Sequence, residues 1–165
     1  MKRKISYVLL ILMVLGVVGC GRKEEETREH QISEVQNTES EEDQVNAGKM
    51  LITIGDTVLT ATLENNEAVD ALTKLLEDGD LTIHFSQYGG VEQVGSIGSS
   101  LPTNDVQTAT SPGDIMLYTG DQMVLFYGNH SWEYTRLGKI DHVSASDLEN
   151  ILGNGDITAT FSFAE

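Results

Sequence analysis

The sequence predicts a mainly β domain with two short helices, and three observations carry that prediction. Short runs rich in β-branched residues alternate in polarity at the period of a strand. Turn signals built on Gly, Asp, Asn and Pro separate these runs at close intervals. Only two segments place apolar residues at helical spacing behind an N-terminal capping residue. All three features lie after residue 47 of a 165-residue chain, in a stretch near the usual size of one domain and long enough for a single core.

The elements follow in chain order. Met50 to Ile54 and Thr57 to Leu63 alternate in polarity across Gly55 and Asp56, which predicts an opening hairpin. Asn65 or Asn66 then caps a helix whose stripe is Ala68, Val69, Leu72, Leu75 and Leu76, and which ends at Gly79. Strands are predicted at Leu81 to Phe85, Glu92 to Ser96, Ile115 to Tyr118 and Met123 to Tyr127, punctuated by Gly89-Gly90, Pro102, Pro112-Gly113 and Gly120-Asp121. Trp132 to Leu137 predicts a further strand. Ser144 and Asp147 form an N-terminal cap for a helix through Leu152, stopped by Gly153, and Ile157 to Phe163 closes the chain as a strand. Phe126 and Tyr127 point to opposite sides of their strand, so only one of them is expected in the core, and the pattern does not decide which. The passages Leu76 to Phe85 and Leu152 to Phe161 echo each other, and shared turn chemistry at Asp78-Gly79 and Asn154-Gly155 accounts for the echo more simply than duplication.

Ahead of the domain stands a different kind of segment. Lys2, Arg3 and Lys4 precede a predominantly apolar run from Ile5 to Val18 and the small-residue site Val17-Val18-Gly19-Cys20, the anatomy of an export signal. As a helix that run reaches about 21 Å, short of a bilayer core of about 30 Å, which favours a cleaved signal over a permanent span. Val-Val-Gly-Cys resembles the lipobox of exported lipoproteins. Residues 1–19 are therefore read as a lipoprotein signal peptide and Cys20 as the lipidated residue, in preference to a cysteine that merely ends an ordinary signal or a short membrane helix. Two or more acyl chains make such an anchor stable. The expected location is the extracytoplasmic face of the membrane. Cys20 is the only cysteine, so no intramolecular disulfide, CxxC redox motif or multi-cysteine zinc site can form.

Residues 20–47, rich in Glu with interspersed Gln, Asn, Ser and Thr, read as an acidic spacer with an r.m.s. reach of roughly 30 Å, extended further by like charge. An acidic tract can recruit a basic partner, but such runs are usually solvated. The chain carries a formal charge of −16. Within residues 48–165, Lys49, Lys74, Arg136 and Lys139 face 17 carboxylates, a balance of −13. This charge argues against nucleic acid and against electrostatic docking on anionic lipid, leaving the acyl group as the membrane tether.

Several passages carry a family resemblance: Met50 to Gly55, Ser86 to Gly90, Leu101 to Asp105, Pro112 to Tyr118, and Phe126 to Gly128 through Ser131 to Ile140. Together with the element order they resemble the bacterial cyclophilin-like fold family over nearly the whole of Met50 to Phe163. The resemblance implies a closed eight-stranded β-barrel with a helix over each open end, a ligand groove on the surface rather than inside, and prolyl isomerisation as the activity to consider. In true cyclophilins an arginine just after the first helix weakens the amide resonance of the X-Pro bond. By chain order that strand corresponds to Leu81 to Tyr88, which contains no arginine; His84, Gln87 and Tyr88 can donate hydrogen bonds, but none carries a guanidinium fork.

The only arginine of the domain, Arg136, alternates with Trp132 and Tyr134, so the three are expected on one strand face. Pairing with a carboxylate is the simpler role for Arg136 in so acidic a domain. The expected groove comprises Tyr88, Asn104, Phe126, Trp132, Tyr134 and Arg136, and its expected occupant is a peptide, a protein segment or a small ligand held without catalysis. An isomerase with an altered site is the alternative, and a spacer or assembly subunit is a third reading. No cofactor or metal is expected: His84, His130 and His142 are dispersed, and Asp78-Gly79-Asp80 and Asn154-Gly155-Asp156 lack the ligand ladder of a calcium loop. Ser131 and Ser144 lack a nucleophile elbow, and no phosphate-cradling glycine motif is present.

Overall fold

Alternating strands that bury one face must close on themselves or expose a hydrogen-bonding edge. The computed structural model describes residues 48–163. The signal segment, Cys20 and the acidic spacer lie outside the described residues. Nine strands and two helices follow in the order β1 (Lys49–Ile54), β2 (Thr57–Leu63), α1 (Glu67–Glu77), β3 (Leu81–Tyr88), β4 (Glu92–Ser96), β5 (Val106–Ala109), β6 (Asp114–Tyr118), β7 (Gln122–Phe126), β8 (Ser131–Ile140), α2 (Ala145–Leu152) and β9 (Ile157–Phe163). Eight of the strands form an antiparallel ring in the order β2-β1-β9-β3-β4-β7-β6-β8, closed by β2 against β8. The ninth, β5, pairs outside the ring with the first half of β8, from Val106 opposite Tyr134 to Ala109 opposite Ser131.

Local chemistry explains the boundaries. The β1–β2 hairpin turns at Gly55, whose φ of 57° suits glycine, and pairs Ile54 with Thr57. Asn66, rather than Asn65, caps α1: its Oδ1 accepts from the Val69 amide at 3.0 Å, while its Nδ2 donates to the Arg136 carbonyl at 2.8 Å and ties the helix start to β8. Ser144 caps α2 through its hydroxyl, which accepts from the Asp147 amide at 3.1 Å. At the far end of α2 the buried Gln93 donates to the carbonyls of Leu152 and Gly155 at 2.6 and 2.7 Å, so the β4 wall holds the helix C-terminus.

One main cluster fills the barrel with Ile52, Phe85, Leu117, Leu125 and Phe161, and both helices bury their stripes in it through Leu72, Leu76, Leu148 and Leu152. The two echoing passages become adjacent antiparallel strands. Leu81 faces Phe161, Ile83 faces Ala159 and Phe85 faces Ile157, so equivalent positions exchange places about a local two-fold axis.

Closure depends on one small residue. Gly138 lies opposite Leu63, and a Cβ there would stand 2.5 Å from the Thr62 carbonyl oxygen and 3.2 Å from the Leu63 Cα. The register between β6 and β8 shifts next to it: Ile115 faces Gly138 while Met116 faces Arg136, leaving Leu137 as an extra residue on β8. Leu137 stays in the main core, and the bulge turns Lys139 to the outer face beside Arg136. Gly138→Ala forces backbone apart at the closing seam. Overpacking of this kind costs about 1–3 kcal/mol, so the urea midpoint of the variant should fall clearly below wild type; an unchanged midpoint would show that the seam is looser than this geometry implies.

Candidate functional site

With the interior filled, a binding surface has to be sought on the outside. Along β4, β6, β7 and β8 the inward residues, among them Ile115, Leu117, Met123 and Leu125, belong to the main core. The alternate positions Met116, Val124, Phe126 and Tyr134 form a second buried cluster with Val94 packed against it. The rings of Phe126 and Tyr134 meet edge to face at 5.6 Å, and those of Tyr118 and Tyr134 at 6.0 Å. Phe126 and Tyr127 are thus both buried, Tyr127 in the main core and Phe126 in the outer cluster, because the strand has apolar cover on each side.

Above the outer cluster opens a cleft of about 490 Å³. Val94 and Val124 line its floor; Tyr88, Tyr118, Trp132 and Tyr134 wall it; Glu92 and His130 are its remaining polar side chains. Its size falls within the usual range for ligand sites of roughly 300–1,000 Å³. Tyr88 and Trp132 are 67 % and 54 % exposed, large aromatic surfaces left to solvent at the rim.

Glu92 is the unusual member. Register places it opposite Tyr88 on β3 and Phe126 on β7. It is only 5 % exposed, and its buried Oε2 has no hydrogen-bond partner among the described residues. Burial pushes its carboxyl above the ordinary value, against a smaller opposing pull from His130. Burial, with the nearby Glu92, Tyr118 and Tyr88, likewise pushes the Tyr134 hydroxyl up to about 12, so it remains a neutral donor near pH 7.

The structure brings Tyr88, Trp132 and Tyr134 together in this cleft and sets Phe126 beneath it. Arg136 lies further along β8, with its guanidinium 3.3 Å from the buried Asp114 carboxylate, which also receives Lys139 at 2.8 Å and the Ser111 amide at 2.9 Å. Burial pushes Asp114 up, but these donors and charges outweigh it and hold its carboxyl below the ordinary range. Asn104 lies in a separate polar hollow beside Asn66, Glu67 and Pro102, and its amide donates to Thr135 at 2.7 Å. Of the possible donors on β3, His84 is hydrogen-bonded with Thr158, and Gln87 donates to the Tyr127 hydroxyl and the Gly153 carbonyl; Tyr88 alone reaches the cleft.

Glu92, Tyr118, Val94, Val124 and His130 were not among the expected groove residues. Alternation with Met116 gives a signal for Tyr118, whereas nothing local to Glu92 announces that Trp132 and Tyr134 will cover it. Among the described residues no group of three or more side chains of metal-ligand type gathers. The sequence model of the cyclophilin-like family matches residues 52–162. A comparison with curated proteins finds no match.

The two buried carboxylates have opposite linkage to pH. The folded protein holds the Glu92 proton more tightly than the unfolded chain, so its ionisation costs stability; the cost sets in as pH rises above 4.5 and is complete above the raised folded value. Asp114 stabilises above the ordinary 3.8, and that contribution is lost as pH falls through its lowered folded value. Glu92→Gln should therefore unfold at a higher temperature than wild type at pH 7, with the gap shrinking toward pH 4.5. A variant no more stable than wild type at pH 7 would mean that the Glu92 carboxylate is better solvated than its burial indicates.

Proposed function

The chain belongs to the cyclophilin-like family, and from that premise we propose that it is an extracytoplasmic lipoprotein whose outer-face cleft holds a peptide or small ligand without catalysing a reaction. The observation that carries this reading is the cleft itself, four aromatic walls standing on a buried apolar floor that the barrel core does not need. Aromatic side chains offer large, rigid contact area at low entropic cost, which suits recognition. The signal anatomy and Cys20 support an acyl tether, and the acidic spacer gives the domain room to stand off the membrane surface.

Prolyl isomerisation, the activity that the resemblance brings to mind, has weaker support. It asks for a guanidinium aimed at the substrate amide, and β3 has none. The domain's one arginine is engaged with Asp114, in a network that fixes β6 to β8.

Trp132 is the only tryptophan of the chain, so intrinsic fluorescence reports on the cleft directly. Proline-containing peptides should perturb this fluorescence without any acceleration of their cis/trans exchange. Acceleration that Arg136→Ala abolishes would replace the binding reading with the enzymatic one. For the tether, Cys20→Ser is expected to move the protein from the membrane fraction to the soluble fraction, and unchanged membrane retention would refute lipidation.

A further inference from the structure

The cleft contains a carboxylate, that of Glu92. Oε2 of Glu92 is buried without a hydrogen bond among the described residues, and the lysines and arginine placed by the structure serve elsewhere: Lys49 on Asp141, Arg136 and Lys139 on Asp114. Lys74 lies in the last turn of α1 and is not part of the cleft lining. His130 is the only basic side chain there. Four aromatic rings surround the same space, and an aromatic face attracts positive charge through its quadrupole. An uncharged ligand covering the cleft would remove the remaining water from Glu92 and supply no opposite charge in return, which is unfavourable for an ionised group. A cation resolves both features at once.

Resting on the reading of the cleft as a ligand site, we propose that it receives a small organic cation with a quaternary ammonium head group, caged by Tyr88, Tyr118, Trp132 and Tyr134 and neutralised by Glu92. The lining decides between kinds of cation. A primary ammonium brings three N–H donors that all demand acceptors, and a guanidinium brings five. Besides Glu92 and His130, the cage offers apolar valine and aromatic faces with a few hydroxyls. A quaternary ammonium has no N–H to satisfy and spreads its charge over methyl groups, so one carboxylate and a set of ring faces suffice. The surplus of carboxylates over the domain, −13 between residues 48 and 165, raises the local concentration of any cation.

The test compares choline with 3,3-dimethylbutan-1-ol, its uncharged carbon isostere, by titrating the full chain and reading Trp132 fluorescence. Choline should give a saturable change and bind at least about ten-fold more tightly than the alcohol, the scale of a desolvated cation–aromatic contact. Glu92→Gln should remove that preference by weakening choline binding about ten-fold while leaving the alcohol unaffected. Equal binding of choline and the alcohol to the wild type overturns the proposal while leaving the cleft a ligand site, and so does Glu92→Gln that binds choline as wild type does. Silence toward choline alongside a response to proline-containing peptides also overturns it and keeps the cleft reading. Silence toward all three ligands removes both. Should Glu92→Gln fail to fold, which circular dichroism reveals, the wild-type comparison alone still decides.

Discussion

The pairing of β2 with β8 turns a sheet into a barrel, and every later feature depends on it. Three residue pairs make the seam, Ala61 with Ile140, Thr62 with Lys139 and Leu63 with Gly138. The backbone can approach that closely only because Gly138 has no side chain. Once the ring is closed its interior is committed to core packing and offers no room for a ligand. The ring has no free edge, and the long β8 serves three neighbours: β2 and β6 along its second half, β5 along its first.

Closure therefore leaves the outer face for a cleft, and there strand alternation has placed a second apolar set. Tyr134 is the pivot of that set. It packs edge to face on Phe126 and on Tyr118, and its ring reaches the cleft that Trp132, two residues earlier on the same face, helps to wall. Past this aromatic stretch of β8, Arg136 and Lys139, one on each side of the bulge at Leu137, converge on Asp114. The two buried carboxylates of this sheet then have opposite fates. Asp114, surrounded by donors, is held ionised and fastens strands together; Glu92, surrounded by rings, is left with an oxygen unpaired among the described residues.

Much of the fold was legible in the sequence because the elements that matter obey local rules. Gly55-Asp56, the pair Asn65-Asn66 and Ser144 announce the hairpin and both helix starts through chemistry confined to a few residues. The strand β5 leaves no mark in the sequence because Val106 to Ala109 bury no apolar stripe; all but Thr108 are exposed, and pairing with β8 holds them. Strand length is hidden for a related reason: β3 runs to Tyr88 and β8 to Ile140, beyond the predicted ends at Phe85 and Leu137, since neighbouring strands rather than propensity extend them. At the site, the aromatic alternation of Trp132 and Tyr134 was readable, whereas the role of Glu92 was not. Its environment is assembled from β3, β7 and β8, as much as some forty residues away, and a glutamate in a strand carries no mark of what will cover it.

The central claim is that Glu92 is held without a partner until a cation arrives, and its own ionisation measures this. Carbon-detected NMR of the Glu92 side-chain carboxyl, followed through a pH titration with and without saturating choline, reads the linkage between proton and cation at the atom concerned. The account predicts a midpoint above the ordinary glutamate value in the free protein and a clear downward shift when choline is bound. A midpoint in the ordinary range from the outset, or one that choline leaves unmoved, would contradict it.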